Sequence, residues 1–195
     1  MNESKQWEVA MQEVALGIGT KTDLGKPELH LTPAIVWGRM YGNTEPLKAV
    51  SLEAIVLRYL ELVDLGTLTE IDDVIRYKRM LMMLDAEVVR NMQNPLIALS
   101  IAHEKELAVL MYGKYKYSRE NWKKINPPVR YLDACGRHLL FHMVRDGVNA
   151  IDKESGLPAL YHAMCNLSFF GELLTERSML DGYDIWVKRE ESHHE

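Results

Sequence analysis

RYLDACGRHLLFHMVRDG (130–147), VNAIDKESG (148–156) and LPALYHAMCNLSFFGELL (157–174) read as helix, acidic turn, helix. On the first helix His138 and His142 stand four residues apart, hence on one face. On the second, His162 and Asn166 repeat that spacing, with Phe169, Phe170 and Leu173 beside them. Asp152 and Glu154 sit between the helices in a loop closed by Gly156. A helical hairpin that gathers imidazoles, carboxylates and a carboxamide suits a divalent metal or a phosphate-bearing ligand. Plainer uses exist for the same groups. Asp133 and Arg137 can pair at i,i+4, and His162 and Asn166 can satisfy each other or the facing helix. Some partner is required, because an unpaired buried polar group costs on the order of 1–3 kcal/mol.

On a helical wheel, Arg130, Asp133, Arg137, His138 and His142 fall on one half, with Arg145 adding a third arginine to the helix. Leu132, Leu139, Leu140 and Met143 fall on the other.

Upstream of the hairpin lies GKYKYSRENWKKINPP (113–128), in which Lys114, Lys116, Arg119, Lys123 and Lys124 alternate with Tyr115, Tyr117 and Trp122. Such a loop can stack on a base while holding its phosphates, or simply pin itself to the fold by its aromatics. LIALSIAHEKELAVLMYG (96–113) forms a helix between the Asn94-Pro95 break and Gly113. Thr69-Glu70-Ile71-Asp72 carries a capping pattern that predicts a long helix to about Asn91, with Met80, Met82 and Met83 in a core or subunit interface. Thr44 and Pro46 predict the start of another helix, LKAVSLEAIVLRYLELVDL (47–65), apolar on most faces and therefore buried, in its own chain or against another subunit. AIVWGRMYG (34–42) is a short apolar segment. GTKTDLGKPELHLTP (19–33) is an irregular loop whose Lys21, Asp23 and Lys26 form either an ordinary surface or a phosphate-contacting arm. Residues 5–16 have helical spacing, and the tail from 177 predicts a short extended piece followed by disorder. No period-2 alternation and no internal repeat interrupts this pattern, so the expectation is one all-α domain.

The chain has 195 residues, 47% of them hydrophobic, enough to bury one core. A formal net charge of -5 offers no general cationic field for duplex nucleic acid. The apolar runs are too short for a membrane span, and MNESKQWEVAM lacks the pattern of a signal peptide, so a cytoplasmic protein is expected. Cys135 and Cys165 lie among apolar neighbours and are expected to be reduced core cysteines. Neither GxxxxGK[ST], HExxH, CxxC nor GxSxG occurs, and no histidine precedes an aspartate directly.

Taken together, KTDLGKPELHLTP, YGKYKYSRENW, RYLDACGRHLL and DKESGLPALYHAMCNLSFF resemble, in that order, the phage and bacterial family called dATP/dGTP diphosphohydrolase, a relative of the all-α MazG-type pyrophosphohydrolases. The resemblance spans about 19–42 and 101–175, leaving 43–100 as a helical insertion. It implies hydrolysis of a deoxynucleoside triphosphate, purine favoured, to the monophosphate and pyrophosphate with Mg²⁺ or Mn²⁺. It also implies a homodimer or higher homo-oligomer, in a host cytoplasm if phage-encoded. By motif it carries over Lys21, Asp23 and Lys26, then Lys116, Tyr117, Asn121 and Trp122, then Arg130, Asp133, Arg137 and His138, then Asp152, Glu154, His162 and Asn166. Metal coordination is expected on Asp152, Glu154, His138 and His162. Phosphates are expected on Lys26, Lys116 and Arg137, and the base or sugar near Asn121 and Trp122. The catalytic set expected is Glu154, Asp152, His138 and Arg137.

One departure stands out. MazG-type enzymes usually hold metal with Glu-x-x-Glu and Glu-x-x-Asp, yet no two glutamates here are three apart. Glu61…Asp64 and Glu70…Asp73 fit only the second half and lie in the insertion. Histidines in place of carboxylates tilt the preference toward Mn²⁺. An alternative follows from the same departure: a non-catalytic protein that binds and sequesters a nucleotide.

Overall fold

The computed structural model describes residues 31–43, 45–64, 70–118 and 121–181. Helices α1 (Ala34–Gly42), α2 (Leu52–Asp64), α3 (Ile71–Met82), α4 (Ala86–Arg90) and α5 (Pro95–Tyr117) precede a 3-10 turn, Asn121–Lys124. Then come α6 (Arg130–Arg137), a π-helical segment (His138–Met143), a closing turn (Val144–Asp146) and α7 (Ala159–Asp181). The described residues hold no strand beyond an isolated bridge between Ile151 and Pro158. The fold is all-α, as the periodicity requires. The expected helix at 5–16 and the arm at 19–33 up to His30 lie outside the described residues; the tail expected from 177 as extended is instead helical as far as Asp181, and the remainder lies outside them.

Helix α7 is the centre of the molecule because its sequence is apolar nearly all round. It packs against α6, α3, α5, the π segment and α1, and Leu160, Tyr161, Ala163, Met164, Leu167 and Phe170 are buried along it. Cys135 and Cys165 are free and buried, as core cysteines should be.

Helix α1 has nine residues, too few to stand alone in water, and tertiary partners hold both its ends. Pro33, at its N-cap, has no side-chain acceptor. Glu172 of α7 supplies one instead, accepting from the Ile35 and Val36 amides at 3.0 and 3.2 Å. At the other end the Arg79 guanidinium donates to the carbonyls of Met40, Asn43 and Glu45. Anion at the start and cation at the end both complement the helix dipole.

The segment expected as an insertion is no appendage. Lys78 of α3 is fully buried and donates to Glu106 of α5 and Ser168 of α7. Trp37 of α1 donates to the same carboxylate at 3.1 Å, and the Lys78 ammonium lies 4.0 Å from its ring centroid. Helix α2 reaches α6 through Tyr59, whose hydroxyl donates to the Leu132 carbonyl at 2.8 Å. That approach requires glycine at 136, since a Cβ there would come within 2.3 Å of the hydroxyl oxygen.

Two expectations are corrected. The helix after Thr44 begins only at Leu52, with the Ser51 hydroxyl accepting from the Ala54 amide. Within the single chain its Leu57 and Leu60 are exposed. The long helix to Asn91 is broken at Asp85, where a side-chain cap outcompetes helix continuation. Asp85 Oδ1 accepts from the Glu87 and Val88 amides at 2.7 and 3.2 Å. Its other oxygen accepts from Lys105 at 2.8 Å and from the Tyr161 hydroxyl at 2.7 Å.

Burial pushes the Asp85 carboxyl up, but the bonds from Lys105, Tyr161 and the two amides outweigh it and leave the group below its usual value. A lowered folded-state value means stability that is present above the unfolded value and lost as pH falls through the folded one. Asp85→Asn keeps a capping oxygen but not the ion pair. The variant is expected to lose about 1–2 kcal/mol at neutral pH, a difference that begins to shrink as pH falls below about 4 and closes below the lowered folded value. Urea unfolding of both proteins across that range checks it; a pH-independent difference would point to packing instead.

Candidate functional site

A cavity of about 460 Å³ opens between α5, α6 and α7, within the usual range for a small-molecule pocket. His162, Cys165, Asn166 and Phe169 of α7 form one wall, at the i, i+3, i+4, i+7 spacing of a single face. Arg130, Ala134 and Arg137 of α6, with His138, form the second. Tyr112, Gly113 and Lys116 at the end of α5 form the third. Asn121 and Trp122 flank one end, Asp152 and Glu154 the other.

The two ends differ in chemistry. At the first, Trp122 stacks on Phe169 with centroids 4.9 Å apart and planes at 17°. Tyr131 fixes that turn by donating to the Trp122 carbonyl at 2.9 Å. At the second, Asp152 organises the turn to Gly156. Its Oδ1 accepts from the Ser155 amide and hydroxyl, both at 2.9 Å. The Ser155 oxygen lies 2.7 Å from His162 Nε2. An ionised Asp152 can only accept, so the serine proton points to it, and His162 Nε2 must be the protonated nitrogen.

His138 stacks on His162, centroids 4.9 Å apart, and tilts against His142 at 5.3 Å. Its Nδ1 is buried without a hydrogen-bond partner. Burial, then the neighbouring His162 and His142, push His138 down to about 4. Burial lowers His162 as well. Both rings are therefore neutral at physiological pH, the state in which imidazole binds metal or accepts a proton. For Asp152, burial acts upward, but the Ser155 bonds and the two histidines bring it below its usual value.

Glu154 is exposed and ion-paired with Lys116. Hydrogen bonding from Lys116 lowers the Glu154 carboxyl, helped by Tyr112, and the same bond raises the Lys116 ammonium. The Arg130 and Arg137 guanidinium groups, by contrast, have no hydrogen bond or ion pair among the described residues, and both residues line the cavity.

Eleven of the residues expected from sequence line this one cavity: Lys116, Tyr117, Asn121, Trp122, Arg130, Arg137, His138, Asp152, Glu154, His162 and Asn166. Asp133, exposed on α6, does not. Lys21, Asp23 and Lys26 lie outside the described residues. The four expected metal ligands do not gather as one group. Among the described residues, the donor atoms that come within 4.8 Å of one another belong to His138, His142 and Asp152. Glu154 is turned to Lys116, and His162 is held by Ser155. Asn166 donates to the His162 carbonyl one turn back, at 2.8 Å.

Sequence reading left out Tyr112 and Ser155. Tyr112 stands one turn before Lys116, and Asp152-x-x-Ser155 is a side-chain-stabilised turn pattern, so both were detectable in principle. It also left His142 out of the metal set. The i,i+4 spacing already placed His142 on the face of His138, and the π-helical turn His138–Met143 keeps the two rings together.

Fold and pocket together define an all-helical protein with a cleft of about 460 Å³ between three helices. Residues 87–182 match the family model described as dATP/dGTP diphosphohydrolase, N-terminal, and it is this stretch that supports a relation to that family. The match contains every described pocket residue named above, begins inside the segment expected as an insertion, and does not reach the block at 19–42. No curated protein and no solved structure matches the chain. No helix among the described residues is long and apolar enough to cross a membrane.

Proposed function

We propose that the protein hydrolyses a purine deoxynucleoside triphosphate, dATP or dGTP, to the monophosphate and pyrophosphate. The observation that carries this reading, beside the family's name, is one cavity with unpaired arginines on its wall, aromatics at one end and an imidazole–carboxylate group at the other. Arg130 and Arg137 are free to clamp a triphosphate in bidentate fashion. Trp122, already braced by Phe169, offers a face to the base, and the Asn121 amide carries the donor and acceptor a purine edge needs.

Water adds to the α-phosphorus, and the bond from that phosphorus to the bridging oxygen breaks with its electrons going to pyrophosphate. Arg137 and Lys116 stabilise the charge that develops on the leaving group. A phosphate that takes Lys116 releases Glu154 from its ion pair, and Glu154 then accepts the proton of the attacking water. His162, held by Ser155 as an N–H donor, can hydrogen-bond a phosphoryl oxygen.

A divalent cation fits this pocket: Asp152 is a carboxylate acceptor, and the buried Nδ1 of His138 lacks a partner. Mg²⁺ or Mn²⁺ would be held by Asp152 and His138, with Glu154 and His162 as neighbours. When bound, it neutralises triphosphate charge and acidifies the attacking water. We infer that the exposed Leu57 and Leu60 of α2 belong to a homodimer or larger homo-oligomer.

Product analysis of a panel of ribo- and deoxyribonucleoside triphosphates with Mg²⁺ or Mn²⁺, after removal of co-purified ligand, tests the reading. Monophosphate plus pyrophosphate from dATP or dGTP is the expected result. Nucleotides that bind but stay intact with either metal would overturn hydrolysis in favour of a sequestering protein.

A further inference from the structure

His142 is the side chain near the pocket that the proposed hydrolysis leaves without a task. It is half-buried, and no hydrogen bond to it occurs among the described residues. Yet its ring nitrogen lies within 4.8 Å of donor atoms of both His138 and Asp152. We propose that His142 completes a two-histidine, one-carboxylate site for a first-row transition-metal ion, with His138 and Asp152 as the other ligands. This rests on reading the pocket as a metal site, and it names the class of metal.

Three observations carry it. Metal–ligand bonds of about 2.0–2.2 Å place donor atoms roughly 3–4 Å apart, so side-chain rotations of an ångström or less close this group around an ion. His138 Nδ1 is buried with no hydrogen-bond partner among the described residues, so that ring is not held by a competing bond there. The π turn is the third. It spans His138 to Met143 and keeps Leu139 and Met143 buried in the core while both histidines stay beside Asp152.

At the same end His162 Nε2 is hydrogen-bonded to Ser155, although it also lies 4.0 Å from Asp152 Oδ1, and Glu154 is paired with Lys116. Two imidazoles and one carboxylate are ligands that Mn²⁺, Fe²⁺, Co²⁺ and Zn²⁺ accept and Mg²⁺ does not favour. Three protein ligands leave positions open for water or phosphate oxygens.

The test uses chelator-treated, nucleotide-free full-length protein. Co²⁺ is titrated and followed by its visible absorption, and Mn²⁺ and Mg²⁺ are compared as competitors. One ion per chain is expected, displaced by excess Mn²⁺ and not by the same excess of Mg²⁺. His142→Ala is expected to weaken Co²⁺ about 10- to 100-fold. Unfolding of the two metal-free proteins at the same urea concentration shows that the loss is local; should His142→Ala unfold early, His142→Gln replaces it in the same titration. Unchanged Co²⁺ affinity in the folded variant, or equal competition by Mg²⁺, overturns the site. Because no nucleotide is present, this outcome is independent of hydrolysis: a chain that turns over dATP with Mg²⁺ but ignores Co²⁺ keeps the first reading and loses this one.

Discussion

Lys78→Met is expected to lower the unfolding free energy by about 3–5 kcal/mol, the loss typical of removing one partner from a buried ion pair. The ammonium and the Glu106 carboxylate are both 0% exposed and 2.8 Å apart. Burial pulls Lys78 below the usual ammonium value, although Glu106 opposes it. Without the lysine, Glu106 keeps its bonds from Trp37 and Ser168 but remains a charge out of water. Methionine fills the volume, so the loss measures charge rather than a cavity. The double variant Lys78→Met, Glu106→Gln should recover at least half of it. A glutamine oxygen still accepts from Trp37 and Ser168, and no charge remains buried. Urea unfolding of the two single variants and the double one decides. If the double variant is as unstable as the sum of the singles, the pair is not the coupled unit that α1, α3, α5 and α7 are built around.

The second large effect is expected at the acidic turn. Asp152→Asn retains an acceptor for the Ser155 amide and hydroxyl, so the turn to Gly156 should form as before. The substitution removes the negative charge that faces His138 and His162. Turnover of the deoxynucleoside triphosphate is expected to fall about 10²–10³-fold, with thermal stability nearly unchanged, as for loss of a residue that would hold the cation neutralising the phosphate charge. Steady-state kinetics under saturating metal measures it. Turnover within about threefold of the parent would remove Asp152 from the chemistry and leave it as a turn former.

Much of this site could be read in the chain because helical spacing is a local property. Arg130 and Arg137 seven apart, and His162, Asn166 and Phe169 three and four apart, must share faces of their helices whatever the rest of the protein does. The basic–aromatic loop ending in Trp122 is contiguous with the helix it follows, so its proximity to that face was also legible. Glu154 was not: its ion pair with Lys116 joins residues 38 positions apart in sequence, across two elements. Nor was Asp85, since a single aspartate in a helical pattern caps or does not according to what its second oxygen can reach.

The sequence by itself determined that the chain is all-helical, that α7 is buried, and which faces carry arginine and histidine, because periodicity and capping act within a few residues. Only the tertiary structure decided the rest. It made α3 part of the core through Lys78, closed α1 with Glu172 and Arg79, and set His142 rather than Glu154 beside His138 and Asp152. Those outcomes depend on which of several satisfiable partners a polar group meets in three dimensions, and that choice is made by packing between distant segments, not by spacing along one.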